Sequence, residues 1–293
     1  MKNRKLYTIL FLLIPGLCAG ILRGTEMAYF FDWSTAMFGT YKAEMVLPLT
    51  VFATLLILGL LSVVFDKKLK SYCMAWRTPT VGGLAAGLLS AVLLMVSGWV
   101  RVYSSLKTER LSYVLFGIIT IIAGIVFLFL SIARYRGTMP KAMRLFSSLP
   151  VFWSCFLLVL TYMEHPVEPV LRVFCYDIFA ACFITLAVFY EIAPIFEEKS
   201  RRTALFFTVS AVYMVVMTLT GRVFGWVFSG DVRNLTDSPI RMLMFLAVGI
   251  RLVQNALCLM NRKGIREAKT VQAERVPELD GGNGENTAGT EEA

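Results

Sequence analysis

The chain has 293 residues, 57% of them hydrophobic, and a net charge of +9, against roughly 45–50% apolar content in soluble domains. The apolar residues are gathered in long uncharged runs, which excludes an ordinary soluble core. The runs also lack the period-two alternation of a β-barrel wall.

In chain order, residues 6–22, 45–65, 78–100, 111–133, 145–163 and 203–221 carry no charged side chain over 17 to 23 positions. About 20 helical residues cross a hydrocarbon core of about 30 Å, so each run is predicted to be a transmembrane helix. Residues 173–194 and 239–260 have the same length but contain charges. With them, the expected fold is an all-α polytopic integral membrane protein, an eight-transmembrane-helix bundle over residues 1–263. The tail, 264–293, lacks any aromatic or branched apolar residue after Leu279 and is expected to be a disordered cytoplasmic extension.

The first span has the outline of a signal peptide, with basic residues before an apolar stretch and small residues at Cys18 and Gly20. The expectation is that it stays as the first helix; Leu17 before Cys18 does not fit a lipobox. Residues 23–44 then form an aromatic-rich connection suited to the membrane interface. Further on, Gly98-Trp99-Val100 recurs as Gly225-Trp226-Val227 at an offset of 127, the spacing of two parallel four-helix halves.

The basic residues follow topology. The N-terminus, the connections 66–77, 134–144 and 197–202, and the tail from 261 together hold 19 Lys and Arg, against 8 on the opposite side. That asymmetry predicts cytoplasmic termini in a multi-pass protein of the cell membrane and removes the reason to read +9 as a nucleic-acid surface. The six cysteines show no paired spacing, so no disulfide framework is implied.

Four charges inside the predicted spans are the candidate ligand-binding residues: Asp177, Glu191, Arg222 and Arg251. Nine residues separate Arg251 from Arg241 and ten from Arg262, which puts it about 15 Å from either helix end. It cannot reach an interface, and Gln254, Asn255 and Cys258 share its face. Thirteen residues separate Asp177 from Glu191, about 20 Å of helix, so at least one is inside the hydrocarbon. The two lie within about 40° of each other, on a face with Ala180, Ala181, Ile184 and Ala187. Arg222 heads a stripe of Thr208, Ala211, Thr218, Gly225 and Ser229. Side chains lean toward their helix N-terminus, and on that basis Asp177 is expected to hold Arg251, shared with Arg222, with Glu191 the poorer partner. Arg23 and Arg101, each at the end of a small-residue stripe, are expected to snorkel to the outer interface.

TYMEHPVEP, residues 161–169, holds the only histidine between Glu164 and Glu168. It reads as a proline-stiffened hairpin rather than a metal site. No GxxxxGK[ST], HExxH or GxSxG occurs, so the common nucleotide, protease and esterase chemistries lack their parts, and no cofactor or metal is implied.

The leading functional expectation is a secondary transporter or ligand-binding membrane component, with a pocket in the outer half for an anionic or carboxylate-bearing ligand. A receptor-like or scaffold subunit, pairing with a membrane protein partner, is the second reading, and an intramembrane enzyme the third. A transporter calls for an open, water-accessible pocket at Asp177. A scaffold calls for a closed pair and an exposed polar groove.

Overall fold

The computed structural model describes residues 2–32, 37–38, 46–66, 80–107, 111–137, 145–164, 170–193, 201–230 and 239–260. They form eight helices: α1 (Lys2–Tyr29), α2 (Val46–Asp66), α3 (Val81–Lys107), α4 (Leu111–Arg136), α5 (Leu149–Glu164), α6 (Val170–Ile192), α7 (Arg201–Ser229) and α8 (Pro239–Met260). A two-residue antiparallel ladder pairs Phe31–Asp32 with Met37–Phe38 after α1. Seven helices are long and apolar enough to cross a membrane, while α5 is shorter. The chain is an all-α, multi-pass membrane-type bundle.

Local sequence explains several boundaries. Pro239 opens α8 and Pro150 lies in the first turn of α5, where a missing N–H costs nothing. The apolar run 145–163 makes a shorter helix than its length predicts, because a turn closed by Ser148 N–H to the Leu145 carbonyl precedes Pro150. Gly137 and Gly230 end α4 and α7 with φ of 74° and 68°, the left-handed cap that favours glycine.

α7 is the central helix, with α1, α2, α6 and α8 packed around it. Tight contact with α1 rests on absent side chains: a Cβ at Gly16 would meet Val216, one at Gly20 Thr220, and one at Gly24 Phe224. Where lipid offers no hydrophobic drive between helices, such close backbone approach supplies the packing energy. α3 and α4 pair in the same way, Gly98 against the Gly117 carbonyl and Gly124 against Met95. Peripheral α2 turns Leu49, Phe52 and Leu60 outward, each at least 60% exposed, as a lipid-facing surface would.

Helix pairs related by the parallel repeat's offset of four agree in part: α3 packs on α4 as α8 does on α7, and α1 on α2 as α5 does on α6. α1 lies along α7, but the pair that an offset of four helices would make equivalent, α5 and α3, is not packed together. The tail, His165, Glu168 and most of the 33–45 connection fall outside the described residues. Residues 23–29, expected in that connection, instead continue α1.

Candidate functional site: two buried charge centres

α6 carries a carboxylate near each end, and the sequence periodicity places both on one face. The structure buries that face: Asp177, Ala180, Ala181, Ile184 and Ala187 have no exposure and Glu191 only 8%. Each carboxylate is the hub of its own centre.

The first centre gathers the C-terminal parts of α1, α3, α5 and α7 and the N-terminal parts of α6 and α8. Arg23 donates to Asp177 Oδ1 at 2.9 Å. Arg222 donates to Asp177 Oδ2 in a short contact, and Arg241 stands 3.5 Å from the same oxygen. Arg241 also donates to Glu164 Oε2 at 2.8 Å, and Glu164 Oε1 accepts from Arg101. The guanidinium groups of Arg222 and Arg241 lie 5.1 and 5.8 Å from the Phe174 ring, and Arg23 lies 5.3 Å from Tyr176, arrangements that spread cationic charge over aromatic faces.

The second centre joins the C-terminal halves of α4, α6 and α8. Arg251 Nε donates to both Glu191 oxygens at 2.9 and 3.1 Å. Its Nη1 donates to Ser131 Oγ at 3.0 Å and to the Phe127 carbonyl at 3.3 Å. Arg134 donates to Glu191 Oε1 at 2.9 Å and, in a short contact, to Asn255 Oδ1. The Arg251 guanidinium sits 4.2 Å from the Phe127 ring centroid.

Asp177 and Arg222 meet, as their depth implied. Arg251 does not join them; its carboxylate is Glu191. On α8 it is Arg241, ten residues before Arg251, that approaches Asp177, and Arg251 is left to Glu191. Arg23 and Arg101 also depart from the expected snorkelling: Arg23 is 1% exposed on Asp177, and Arg101 is paired with Glu164. Both signals were present in the sequence, because a stripe such as Gly16, Ala19 and Gly20 marks a face packed on protein, and Arg23 continues that face. Arg134, read as part of a connection, lies within α4 and is buried. Glu164 is bound to two arginines, and among the described residues no group of His, Cys, Asp or Glu could hold a metal ion.

Both centres hold one more positive charge than negative among the described residues, Arg134 and Arg251 facing Glu191 in the second, and they differ in hydrogen bonding. Among the described residues, four arginines of the first centre meet two carboxylates; Glu26 lies close enough to act electrostatically on Tyr176 and still leaves one positive charge over. Arg222 Nη1 is sealed from solvent with no hydrogen-bond partner, whereas Arg251 Nη2, which also makes no hydrogen bond, stands 2.6 Å from Glu191 Oε1 as an ion pair. A buried donor left unsatisfied costs about 1–3 kcal/mol, more when charged. An anion among these arginines would remove both deficits.

No protein-family model matches the chain, and neither the curated proteins nor the solved structures provide a match.

Proposed function

We propose that this multi-pass membrane protein is a carrier or ligand-binding component for a small anion, carboxylate- or phosphate-bearing, taken at the Asp177 centre. The observation that carries the reading is the surplus of guanidinium charge there, together with the unpartnered Nη1 of Arg222. Arg222 supplies the free donors, Asp177 holds the arginines in position, and Glu191 with Arg251 forms a second charged station on the shared helices α6 and α8. Bidentate donors of fixed geometry suit planar carboxylate and phosphate oxygens. The basic asymmetry supports a cell-membrane protein with both termini cytoplasmic and the Asp177 centre in the outer half.

A second reading has its own observation. Asp177 is fully buried and its carboxylate saturated, where a transporter open to water was expected to expose it. That closure favours a non-transporting scaffold in which the ion pairs fix helix register. As a carrier, the same geometry is an occluded form.

One experiment separates the two. Purified protein in phosphatidylcholine vesicles is tested for uptake of radiolabelled acetate, succinate and phosphate, alongside Arg222→Gln. Uptake that Arg222→Gln abolishes while the variant remains folded supports the carrier. Thermal stability indifferent to every anion, with no uptake, sinks it and leaves the scaffold. Cysteine labelling at Lys107 and Arg233 from outside, and at Lys68 and Lys141 only after permeabilisation, checks the orientation; reversed labelling overturns it.

A further inference from the structure

We propose that Arg101 and Arg241 form an entry station for the anion, held shut in this structure by Glu164 acting as a displaceable carboxylate. The proposal rests on the reading of the Asp177 centre as an anion site and names the route by which that site is reached.

Exposure rises stepwise along the first centre. The side chains of Asp177, Arg222 and Arg23 are 1% exposed, that of Arg241 5%, and those of Glu164 and Arg101 15% and 16%. The outermost pair is therefore the part that meets water first. Arg241 joins the two levels, its Nη1 on Glu164 and its Nη2 toward Asp177. The order from the rim inward is Arg101, Glu164, Arg241, Asp177, Arg222.

Glu164 uses one oxygen for each arginine, Oε1 to Arg101 and Oε2 to Arg241. A free carboxylate or phosphate reproduces that bridge. Arg101 keeps a further donor, since its Nε has no hydrogen-bond partner. Its guanidinium lies 4.3 Å from the Tyr113 ring, which holds it in place when the carboxylate leaves.

Glu164 is also badly placed to stay. It is the last residue of α5, where the negative end of the helix dipole opposes a carboxylate. Its two arginines belong to other helices, α3 and α8. An arriving anion that takes those donors frees Glu164 toward water and leaves Arg241 able to turn wholly to the inner level. No bond is made or broken; one carboxylate is exchanged for another oxyanion.

The test uses the full chain in phosphatidylcholine nanodiscs, with inorganic phosphate and acetate as probes read by calorimetry. Glu164→Gln removes the competing charge and should tighten binding of either probe severalfold over the wild type. Glu164→Asp, which keeps the charge but shortens the bridge, should give a smaller gain in the same direction. Adding Arg101→Gln to Glu164→Gln should abolish the gain. Unchanged or weaker binding in both Glu164 variants, or a gain that survives Arg101→Gln, overturns the entry station. Wild-type binding lost in Arg222→Gln would meanwhile keep the inner site standing on its own, whereas no binding in any variant removes both. Repeating the titration with phosphatidylglycerol in the nanodisc distinguishes the source of the anion. If that lipid competes with phosphate, the station takes a lipid headgroup; if it does not, it takes a free ion.

Discussion

The two charge centres use the same chemistry with different accounting. At Glu191 the arginines also reach neutral acceptors: Arg251 Nη1 donates to Ser131 and the Phe127 carbonyl, Arg134 reaches Asn255, and the Arg251 Nη2, without a hydrogen bond, lies 2.6 Å from Glu191 Oε1. At Asp177 the bonds run almost wholly between ions and the Arg222 Nη1 remains unpartnered, while the one-charge positive excess is common to both centres. A centre completed by neutral groups fixes helices in place. A centre held only by ion pairs, with a sealed guanidinium nitrogen left without an acceptor, is where an added anion would lower the energy. On the proposed reading, the Asp177 end of α6 is the one that takes the ligand, and the charged station at its Glu191 end also ties α4, α6 and α8 together.

The strongest way to break that contrast is to remove each hub. Asp177→Ala strands two arginines that are sealed from water, and breaking a buried pair costs about 3–5 kcal/mol. A large fall in the melting temperature of detergent-solubilised protein is expected, partly restored by millimolar phosphate or acetate. Loss with no restoration by either anion would erase the ligand character of this centre.

Next in size is the coupling that identifies Arg251's partner. A double-mutant cycle of Glu191→Gln with Arg251→Gln should show an interaction of about 0.5–3 kcal/mol, as contacting residues do. The cycle of Asp177→Asn with Arg251→Gln should be additive within about 0.5 kcal/mol. Unfolding free energies in a detergent series measure both. Coupling in the second cycle would reinstate the pairing suggested by the sequence.

That pairing shows what a single sequence holds and what it lacks. The eight helices and the shared face of Asp177 and Glu191 were legible, because chain length against bilayer thickness and the 3.6-residue period are local properties. Arg251 was legible as a buried charge, since no interface lay within its reach. Its partner was not, because partnership depends on how far α6 and α8 slide past one another, which is a tertiary property that no local period encodes. Arg134 was missed for a simpler reason: the uncharged run ended at residue 133, whereas α4 continues to Arg136. Helix ends in a membrane protein do not stop at the first charge when that charge has a buried partner.

A matched pair of small substitutions probes how yielding each centre is. A Cβ at Gly221 would meet Arg23 Cδ at 2.9 Å, on a flexible stem, with the fixed Arg23 Cβ farther off at 3.2 Å. One at Gly87 would meet Ser131 Cβ at 2.9 Å and Gln254 Oε1 at 3.3 Å. A serine Cβ moves only with its helix, and Ser131 also holds Arg251. Gly87→Ala should therefore cost about 1–3 kcal/mol, the usual range for overpacking, and Gly221→Ala clearly less. The reverse order in thermal unfolding would mean that the Asp177 centre is the more rigid of the two.

The smallest expected effect isolates burial from geometry. Arg101 lies 4.3 Å from the Tyr113 ring and Arg251 4.2 Å from the Phe127 ring, so the cation–aromatic contacts are nearly equal in distance. They differ in environment, the arginine side chains being 16% and 2% exposed. Such contacts contribute about 0.5–1 kcal/mol when exposed and about 2 kcal/mol when desolvated. Phe127 also packs edge-on to Trp153, so a single substitution there mixes lost packing with lost charge attraction, and only a cycle with the arginine removes the packing part. The cycle of Tyr113→Leu with Arg101→Gln should give the smaller coupling, and that of Phe127→Leu with Arg251→Gln about twice as much or more. Raising salt should weaken the first and leave the second unchanged, because a partly wet cation is screened and a sealed one is not. Equal couplings with equal salt response would place both arginines in the same dielectric and remove the rim-to-interior gradient on which the entry station depends.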